Sequence, residues 1–277
     1  MDVEAFGDTE CVANSAESVD VDLMDGFDEY IRILDKHGIK STLFTVGALA
    51  PKIIDKLKKS ISNGHRLALH SHKHIAPMDE SVETFRHEIR KSKMMLKELF
   101  DVDVVGFRAP YFSLDNKRLN ILKELGFQYD SSHLDFLQAR HTVALDLKGF
   151  KECSKNIFYD GNFFEFGLSK QKIFGIPYPI SGGGYVRLSN WSFIKSLIKQ
   201  YLKKNEYYVF YLHPFELTTQ KVPDLKDLKP YDRFYLQRGI TTYGEHIEQL
   251  ILLLKKLGYS FVTFEELSEI LHHTITK

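Results

Sequence analysis

The segment Asp25–Val46, DGFDEYIRILDKHGIKSTLFTV, contains the pattern that decides the fold. Its first part is amphipathic and ends at Gly38, a residue suited to the left-handed conformation that closes many helices. Its second part, STLFTV from Ser41, is short, apolar and rich in the residue types that buried strands prefer. The segment therefore predicts a helix followed directly by a strand.

The same alternation continues along the whole chain. Further strands are predicted at RLALH, DVVGF, FQYD, KIFGIP, YYVFYLH and YSFVTF, which begin at residues 66, 103, 127, 172, 207 and 259. Two further helices are predicted, SVETFRHEIRKSKMMLKELF from Ser81 and YGEHIEQLILLLKKLG from Tyr243. Alternation of this kind predicts an α/β fold with a mostly parallel sheet covered by helices. Seven or eight such units favour a barrel over an open sheet.

Composition and charge exclude several classes of protein. The 277 residues are long enough for a single domain over residues 1–277, in which residues 1–25 form an acidic, partly loop-like N-terminal segment. The chain has 37 basic and 37 acidic residues, so its net charge predicts no nucleic-acid partner. It has no apolar run long enough to span a bilayer and no signal-peptide pattern. Cys11 and Cys153 are predicted to be free thiols, and the expected location is cytoplasmic, including the inner face of the membrane.

Histidines follow one of the predicted strands at a spacing that suits a metal ion. His70 ends RLALH and His74 lies four residues later. In barrels the chemistry lies at the C-terminal ends of strands. On a helix or tight turn the two imidazoles would share one side and reach one metal ion at about 2.0–2.1 Å. The alternative is a solvated turn.

Two carboxylates near the N-terminus can complete such a site. Asp2 and Glu4 are separated by one residue, and alternate residues of an extended segment share a face. One carboxylate can then bind the metal while the other accepts a proton from water. The alternative is a pair of surface acids at a frayed terminus.

Three further strand ends carry polar residues. Arg108 follows DVVGF, and Pro110 makes the backbone after it rigid, so that Arg108 can orient a carboxylate and the Tyr111 N–H can face an oxyanion. FQYD ends at Asp130, and YYVFYLH ends at His213. His213 can act as a general acid, with Asp130 setting its tautomer and pKa. The alternative is a polar residue that is merely satisfied at the end of a strand.

In this order the motifs resemble those of the polysaccharide deacetylases, the NodB-homology domain of carbohydrate esterase family four. The matching motifs are D-V-E at Asp2–Glu4, H-S-x-x-H at His70–His74, R-x-P-Y at Arg108–Tyr111, D-S-S from Asp130 and L-H-P at Leu212–Pro214. HGIKSTLFTVG and PISGGGYVRL are similar to the branch that acts in bacterial exopolysaccharide and O-antigen biosynthesis. The resemblance implies a distorted, incomplete (β/α)7 barrel.

The resemblance also implies a role for each motif residue. Asp2 would be the general base, and Arg108 would orient it. Glu4, His70 and His74 would bind the metal. Tyr111 would donate to the oxyanion, and His213, tuned by Asp130, would be the general acid. The family has adjacent aspartates where this chain has Asp2 and Glu4, so which of them binds the metal is open, with Glu4 favoured. The family also has a strand before this motif. This chain starts at Met1, so either its true start lies upstream or the first strand is a stub with Asp2 at a fraying end.

The implied activity is that of a metal-dependent hydrolase. It would remove the N-acetyl group of an amino sugar in a surface-polysaccharide or glycan precursor and release acetate. The cofactor would be one divalent metal ion, with zinc favoured and cobalt, iron or manganese also suited to the ligands. The alternatives are another amide substrate on the same fold, such as an N-formyl sugar, allantoin or a cyclic imide, and an inactive carbohydrate-binding homologue.

The expected substrate is an N-acetylated sugar that is nucleotide-linked, lipid-linked or polymeric. The segment YPISGGGYVRLSNW, from Tyr178, is expected to form a loop over the site, because its glycines permit positive φ. Tyr185 and Trp191 in this segment are predicted to stack on sugar rings. The alternative is a tight turn whose aromatic residues pack in the core. The sequence gives no prediction for the oligomeric state.

Overall fold

The first five strands are short and pair in parallel in the order of the sequence. The computed structural model describes residues 1–17, 21–134 and 145–275. Within these ranges the strands are β1 (Asp2–Val3), β2 (Thr42–Thr45), β3 (Arg66–Leu69), β4 (Gly106–Phe107), β5 (Tyr129–Asp130), β6 (Lys151–Ser154), β7 (Ile157–Asp160), β8 (Phe163–Phe166), β9 (Lys170–Ile173) and β10 (Ile176–Pro179). The predicted strands from residues 41, 66, 103 and 127 contain β2, β3, β4 and β5, which confirms them.

Helices follow most of these strands. They are α1 (Glu10–Ala13), α2 (Asp25–His37), α3 (Ile54–Ser62), α4 (Val82–Phe100), α5 (Asn116–Glu124), α6 (Gly183–Leu188), α7 (Trp191–Leu202), α8 (Pro230–Gln237), α9 (Ile240–Lys256) and α10 (Phe264–Ile275). The predicted ends of two helices are confirmed. Gly38 ends α2 with a φ of 66°, and the Ser81 hydroxyl caps α4 by accepting from the Thr84 N–H at 3.1 Å.

The register of the sheet brings the strand ends to one edge. In the larger sheet the strand order is β1-β2-β3-β4-β5-β8-β7-β6. Asp2 lies opposite Phe44 in β2, and Leu69 lies opposite Phe107 in β4. His70 follows Leu69 and Arg108 follows Phe107, so these two residues lie side by side at the ends of β3 and β4. The fold is α/β with a mostly parallel central sheet of barrel-like form, which confirms the predicted fold class.

An extended segment around Tyr211 continues the barrel beyond β1. The Asp2 N–H donates to the Leu212 carbonyl at 3.0 Å. On its other side, the Tyr211 N–H donates to the Ser181 carbonyl at 2.7 Å. The predicted strand from residue 207 is therefore extended, but it pairs through an isolated bridge and forms no ladder. This arrangement places His213 next to β1.

Two other predicted strands are wrong in form. KIFGIP is split into β9 and β10 by a turn in which Phe174 has a φ of 49° and Gly175 a φ of 85°, the conformations of a tight hairpin. YSFVTF forms no strand, and its last residue, Phe264, begins α10. The sequence analysis also missed β6, β7 and β8, of which β6 pairs antiparallel with β7, and β7 with β8.

The N-terminal segment is more ordered than a loop. It contains a 3-10 turn at Phe6–Asp8 as well as α1, and Phe6 and Val12 are buried in a cluster with Phe215. Asp2 in β1 is 2% exposed, so the expectation of a fraying end is wrong for this residue. Residues 18–20 of the predicted 1–25 segment lie outside the described residues. None of the described helices combines the length and the apolar character needed to cross a bilayer.

Candidate active site

Glu4, His70 and His74 converge on one buried point. Each offers one ligand atom, and these atoms all lie within 4.8 Å of one another. His74 Nε2 lies 2.7 Å from Glu4 Oε2, and His70 Nε2 lies 3.8 Å from the same oxygen. The sequence predicted these three residues as a set, and the fold brings them together.

The two histidines lie on the same side because of a strained turn, not because of a helix. Ser71 and His74 have φ values of 58° and 57°, which are uncommon for residues other than glycine. The Ser71 hydroxyl accepts from the His74 N–H at 3.1 Å and closes the turn. His72 points away from the site, and its Nδ1 lies 2.9 Å from the Ser92 hydroxyl. Strain that the fold maintains at two neighbouring positions is typical of a functional site.

The donor set fits a divalent cation. His70 Nδ1 lies 2.7 Å from the Arg108 carbonyl, which requires that nitrogen to carry the proton and leaves the lone pair on Nε2, facing Glu4. Burial opposes ionisation of Glu4, but His74 and His213 outweigh it, so the pKa of Glu4 is well below its usual value. Two imidazoles and an ionised carboxylate are a typical ligand set for zinc.

Asp2 lies beside this set and is paired with Arg108. Arg108 Nη1 donates to Asp2 Oδ1 at 2.6 Å, and both side chains are almost fully buried. Burial raises the pKa of Asp2, but the Arg108 guanidinium, followed by His70 and His213, lowers it by more. Arg108 is itself fixed, because its Nε donates to the Ser131 carbonyl at 3.1 Å and its Nη2 to the Ser131 hydroxyl at 2.8 Å. Arg108 therefore contacts a carboxylate, as the sequence predicted, and that carboxylate is Asp2.

Tyr111 packs against the histidine turn. Its ring lies edge-on to His74 with 4.9 Å between ring centroids, and its hydroxyl donates to the Asp8 carbonyl at 3.1 Å. Pro110 begins a short turn in which Tyr111 has a φ of 56°. The R-x-P-Y motif therefore enters a short turn at Pro110, and Tyr111 lines the cavity described below.

His213 faces the same cavity, but its partner differs from the predicted one. Its Nδ1 lies 3.1 Å from Glu216 Oε2, and the His213 N–H donates to the same oxygen at 3.1 Å. Glu216 also accepts from Arg187 Nε at 2.9 Å. Burial lowers the pKa of His213, but Glu4, Glu216 and Asp2 together raise it to about 9. The prediction that Asp130 sets the His213 tautomer is wrong, because Glu216 makes this contact.

Asp130 instead belongs to a buried pair of carboxyl groups. It lies opposite Glu165 in the register of β5 and β8, and both side chains accept from the Ser132 N–H at 3.0 Å. Burial raises the pKa of Asp130 to about 6, and burial together with Asp130 raises the pKa of Glu165 well above its usual value. These side chains support the strand ends and do not contact His213.

The sequence analysis missed Glu216, Arg187 and Glu165. A signal for Glu216 was present, because His213 and Glu216 have the spacing of a capping box at the start of the Pro214–Leu217 turn. No local signal links Arg187 to Glu216, since the two residues belong to different parts of the chain and meet only in the folded protein. The same holds for Glu165, which lies on a strand that was not predicted.

A cavity of about 330 Å³ lies over these residues. Its lining includes the predicted site residues Asp2, Glu4, His70, His74, Tyr111, His213 and Tyr185. Tyr185 is 41% exposed and stands at the cavity, where it was predicted. The prediction for Trp191 is wrong: Trp191 begins α7, turns toward α9, stacks on His246 at 4.9 Å and donates to Gln249 at 2.6 Å.

The glycine-rich segment crosses the wall of this cavity, but the prediction that it is a loop is wrong for Gly183–Leu188, which form α6. Gly182 has a φ of 117°, and a Cβ there would lie 1.9 Å from the Tyr211 carbonyl oxygen. Only glycine therefore permits the chain to approach the closing segment this closely. Directly after it, the chain enters α6, which carries Tyr185 to the cavity and Arg187 to Glu216.

Comparison with protein families explains this combination of fold and site. A model described as polysaccharide deacetylase matches residues 18–129, which contain both histidines and Arg108. This match supports the predicted resemblance to the polysaccharide deacetylases over that part of the chain. A second model, described as a domain of unknown function (DUF3473), matches residues 141–269, which contain Arg187, His213 and Glu216.

Known proteins of the same kind are distant in sequence. A peptidoglycan deacetylase from Helicobacter pylori is 25% identical over 113 residues, which cover 40% of this chain and 39% of that protein. The chain therefore matches well under two thirds of that relative's length. A protein from Mycobacterium smegmatis described as a polysaccharide deacetylase has a similar structure, with a TM-score of 0.58 and 18% identity over 90% of this chain and 77% of that one. An allantoinase has a TM-score of 0.56 and 15% identity over 90% and 72% of the two chains. These structural likenesses show that the three proteins share a fold.

Proposed function

We propose that this polysaccharide deacetylase homologue is a metal-dependent hydrolase that removes the N-acetyl group of an amino sugar and releases acetate. The observation that carries the proposal is the convergence of three ligand atoms from Glu4, His70 and His74 beside the Asp2–Arg108 pair and His213. A ligand set, a general base and a general acid then line one cavity. Metal-assisted hydrolysis of an amide uses all three.

Glu4, His70 and His74 would hold one divalent cation. Zinc suits these donors best, and cobalt, iron and manganese accept the same set. A bound cation of this kind would polarise the acetamide carbonyl and lower the pKa of a water molecule beside it. The Arg108 carbonyl holds His70 in the tautomer whose Nε2 can bind the cation.

Asp2 would accept the proton of the attacking water. Arg108 keeps the Asp2 carboxylate ionised, as its lowered pKa indicates, and holds it through Oδ1. Tyr111 lies against His74 in a short turn. Its backbone N–H would donate to the acetyl carbonyl oxygen, which becomes an oxyanion when water attacks the acetyl carbon. Loss of one such donor typically costs roughly 10²–10³ in rate.

His213 would protonate the departing nitrogen. As the C–N bond breaks, its electron pair goes to the nitrogen of the sugar, which takes the proton from the imidazolium. The pKa of His213, raised to about 9, favours the protonated ring at neutral pH. Tyr185 would contact the sugar at the exposed side of the cavity, and the substrate class would be an N-acetylated polysaccharide or its precursor.

Acetate release from defined substrates tests this proposal. Metal-stripped protein is incubated with N-acetylglucosamine oligomers, peptidoglycan fragments or allantoin, with and without added zinc. We expect acetate and an equal amount of free amine from an N-acetylated sugar only when zinc is present. His70→Ala should abolish this release, whereas His72→Ala, in the same turn, should retain it. Hydrolysis of allantoin alone, or acetate release that is independent of metal, would contradict the proposal.

A further inference from the structure

Glu216 is a buried carboxylate whose two oxygens face two different cations. It is 0% exposed and lies in the Pro214–Leu217 turn that follows His213. Oε2 accepts from both the backbone N–H and Nδ1 of His213, each at 3.1 Å. Oε1 accepts from Arg187 Nε at 2.9 Å. The carboxylate therefore connects His213 to a guanidinium on the far side of the turn.

Arg187 is fixed from several directions. Its Nη2 donates to the Tyr235 carbonyl at 2.8 Å, and its Nη1 donates to the Arg238 carbonyl. The Arg187 side chain is 0% exposed, so the pair it forms with Glu216 is completely removed from water. A buried ion pair seldom gives more stability than apolar residues of the same size. Its presence behind a cavity histidine therefore points to a role in positioning that histidine.

The contacts determine which nitrogen of His213 faces the cavity. An ionised carboxylate can only accept, so Nδ1 must carry a proton toward Glu216. Nε2 is then the nitrogen that remains for a substrate, and the His213 side chain is 18% exposed at the cavity. Asp130 cannot supply this restraint, because it is engaged with Ser132.

We propose that Glu216, held in place by Arg187, is the positioning residue that directs His213 Nε2 at the departing nitrogen. This inference rests on the proposed function. The proton moves from Nε2 to the nitrogen as the C–N bond breaks, and the ring is left neutral because Nδ1 keeps its proton and donates it in a hydrogen bond to Glu216. Water supplies one oxygen of the acetate, and its other oxygen comes from the acetyl group. Asp2 takes one proton of that water and His213 gives one to the amine, so the enzyme is restored when a proton leaves Asp2 and another returns to His213.

The first test compares two leaving groups in Glu216→Gln. Deacetylation of an N-acetylglucosamine oligomer needs a proton on the amine, whereas 4-nitrophenyl acetate releases a phenolate that needs none. We expect kcat on the amide to fall by roughly 10–100-fold, the effect typical of losing an outer-shell partner, with KM and ester cleavage close to wild type. Glu216→Asp, which keeps the charge, should recover part of the loss. Glu165→Gln is the control, because it removes a buried carboxylate that does not contact His213.

Equal losses on both substrates, or no loss on the amide, would overturn the inference. Nitrogen NMR of the folded wild-type protein provides a second test that does not depend on the stability of any Glu216 variant. The His213 signals, assigned by their absence in His213→Gln, should show a proton on Nδ1. A proton confined to Nε2 would also overturn the inference. If the wild type releases acetate from no N-acetylated sugar, the proposed function fails, and the NMR result still decides whether Glu216 holds His213.

Discussion

At the scale of single residues, the convergence of Glu4, His70 and His74 was predictable because these residues follow strands of a parallel sheet. Glu4 and His70 lie just beyond β1 and β3, and His74 is returned to them by a turn that Ser71 closes. The carboxyl ends of parallel strands meet at one edge, so the sequence order was sufficient to bring these residues together. The partner of His213 was not predictable from the order of the strands. Glu216 reaches His213 because both belong to one local turn, whereas the predicted partner, Asp130, lies on β5.

The Asp2–Arg108 pair gives a prediction that separates catalysis from stability. Asp2→Asn should lower kcat by roughly 10²–10⁴-fold, because the variant lacks the proposed general base. It should also destabilise the protein by about 3–5 kcal/mol, because Arg108 is left as a buried charge without its partner. The double variant Asp2→Asn/Arg108→Met should regain much of that stability and none of the activity.

Kinetics and urea denaturation measure the two effects. Zinc binding serves as the control, because Glu4, His70 and His74 are unchanged in these variants. If Asp2→Asn kept the wild-type kcat, Asp2 would not be the base. If the double variant were no more stable than Asp2→Asn, the burial of an unpaired guanidinium would not be the cause of the instability.

At the scale of elements, the helices and the parallel strands were predictable, and the region from residue 151 to residue 179 was not. Helix ends at Gly38 and Ser81 depend on local chemistry that a sequence displays. The antiparallel strands β6, β7 and β8 and the hairpin β9–β10 depend on tight turns, as at Phe174–Gly175. A short apolar run such as KIFGIP is compatible with one strand or with two, and only the positive φ at its centre decides between them.

Two helical glycines should respond in opposite ways to substitution by alanine. A Cβ on Gly26 in α2 would lie 1.8 Å from the Pro214 carbonyl oxygen, whereas a Cβ on Gly244 in α9 would meet nothing closer than 3.7 Å. Gly26→Ala should therefore destabilise the protein by roughly 1–3 kcal/mol, because it overpacks the contact between α2 and the turn that carries Glu216. Gly244→Ala should stabilise it by about 0.5–1 kcal/mol through helix propensity alone.

Urea unfolding of the two variants checks this pair. Gly26→Ala should also lower deacetylation, since a shift of Pro214 moves His213. A stabilised Gly26→Ala would show that helix propensity outweighs the close approach, and that α2 can move away from the turn at no cost.

At the scale of the whole molecule, the cavity is built from parts that are distant in sequence. The N-terminal segment contributes Glu4, the strand ends contribute the histidines, and α6 contributes Tyr185. The sequence predicted the first two from motifs. It could not separate Tyr185 from Trp191, because both are aromatic residues of one glycine-rich segment, and only the start of α7 turns Trp191 toward α9.

The buried pair of Asp130 and Glu165 should make global stability depend on pH. Both pKa values are raised above the values of 3.8 and 4.5 expected for the unfolded chain, that of Asp130 to about 6. Above pH about 4 this pair therefore holds more protons in the folded protein than in the unfolded chain, and its contribution to stability falls as the pH rises toward the folded pKa values. Glu165→Gln removes one of the two carboxyl groups and should weaken the decline.

Thermal melts of the wild type and Glu165→Gln between pH 5 and pH 8 measure this effect. The melting temperature of the variant should rise relative to that of the wild type as the pH increases. Titrations common to both proteins cancel in this difference. A difference that is constant with pH would show that the pair does not retain a proton in the folded state.

Zinc titration into metal-stripped protein, followed by calorimetry, tests the central claim most directly. The wild type should bind one equivalent, and both His70→Ala and Glu4→Gln should weaken binding by more than the roughly 10–100-fold loss that removal of an outer-shell partner causes. His72→Ala should bind like the wild type, because its ring contacts Ser92 and faces away from Glu4. A wild type that binds no zinc, or a His72→Ala variant weakened as much as His70→Ala, would contradict the claim that these three residues form one metal site.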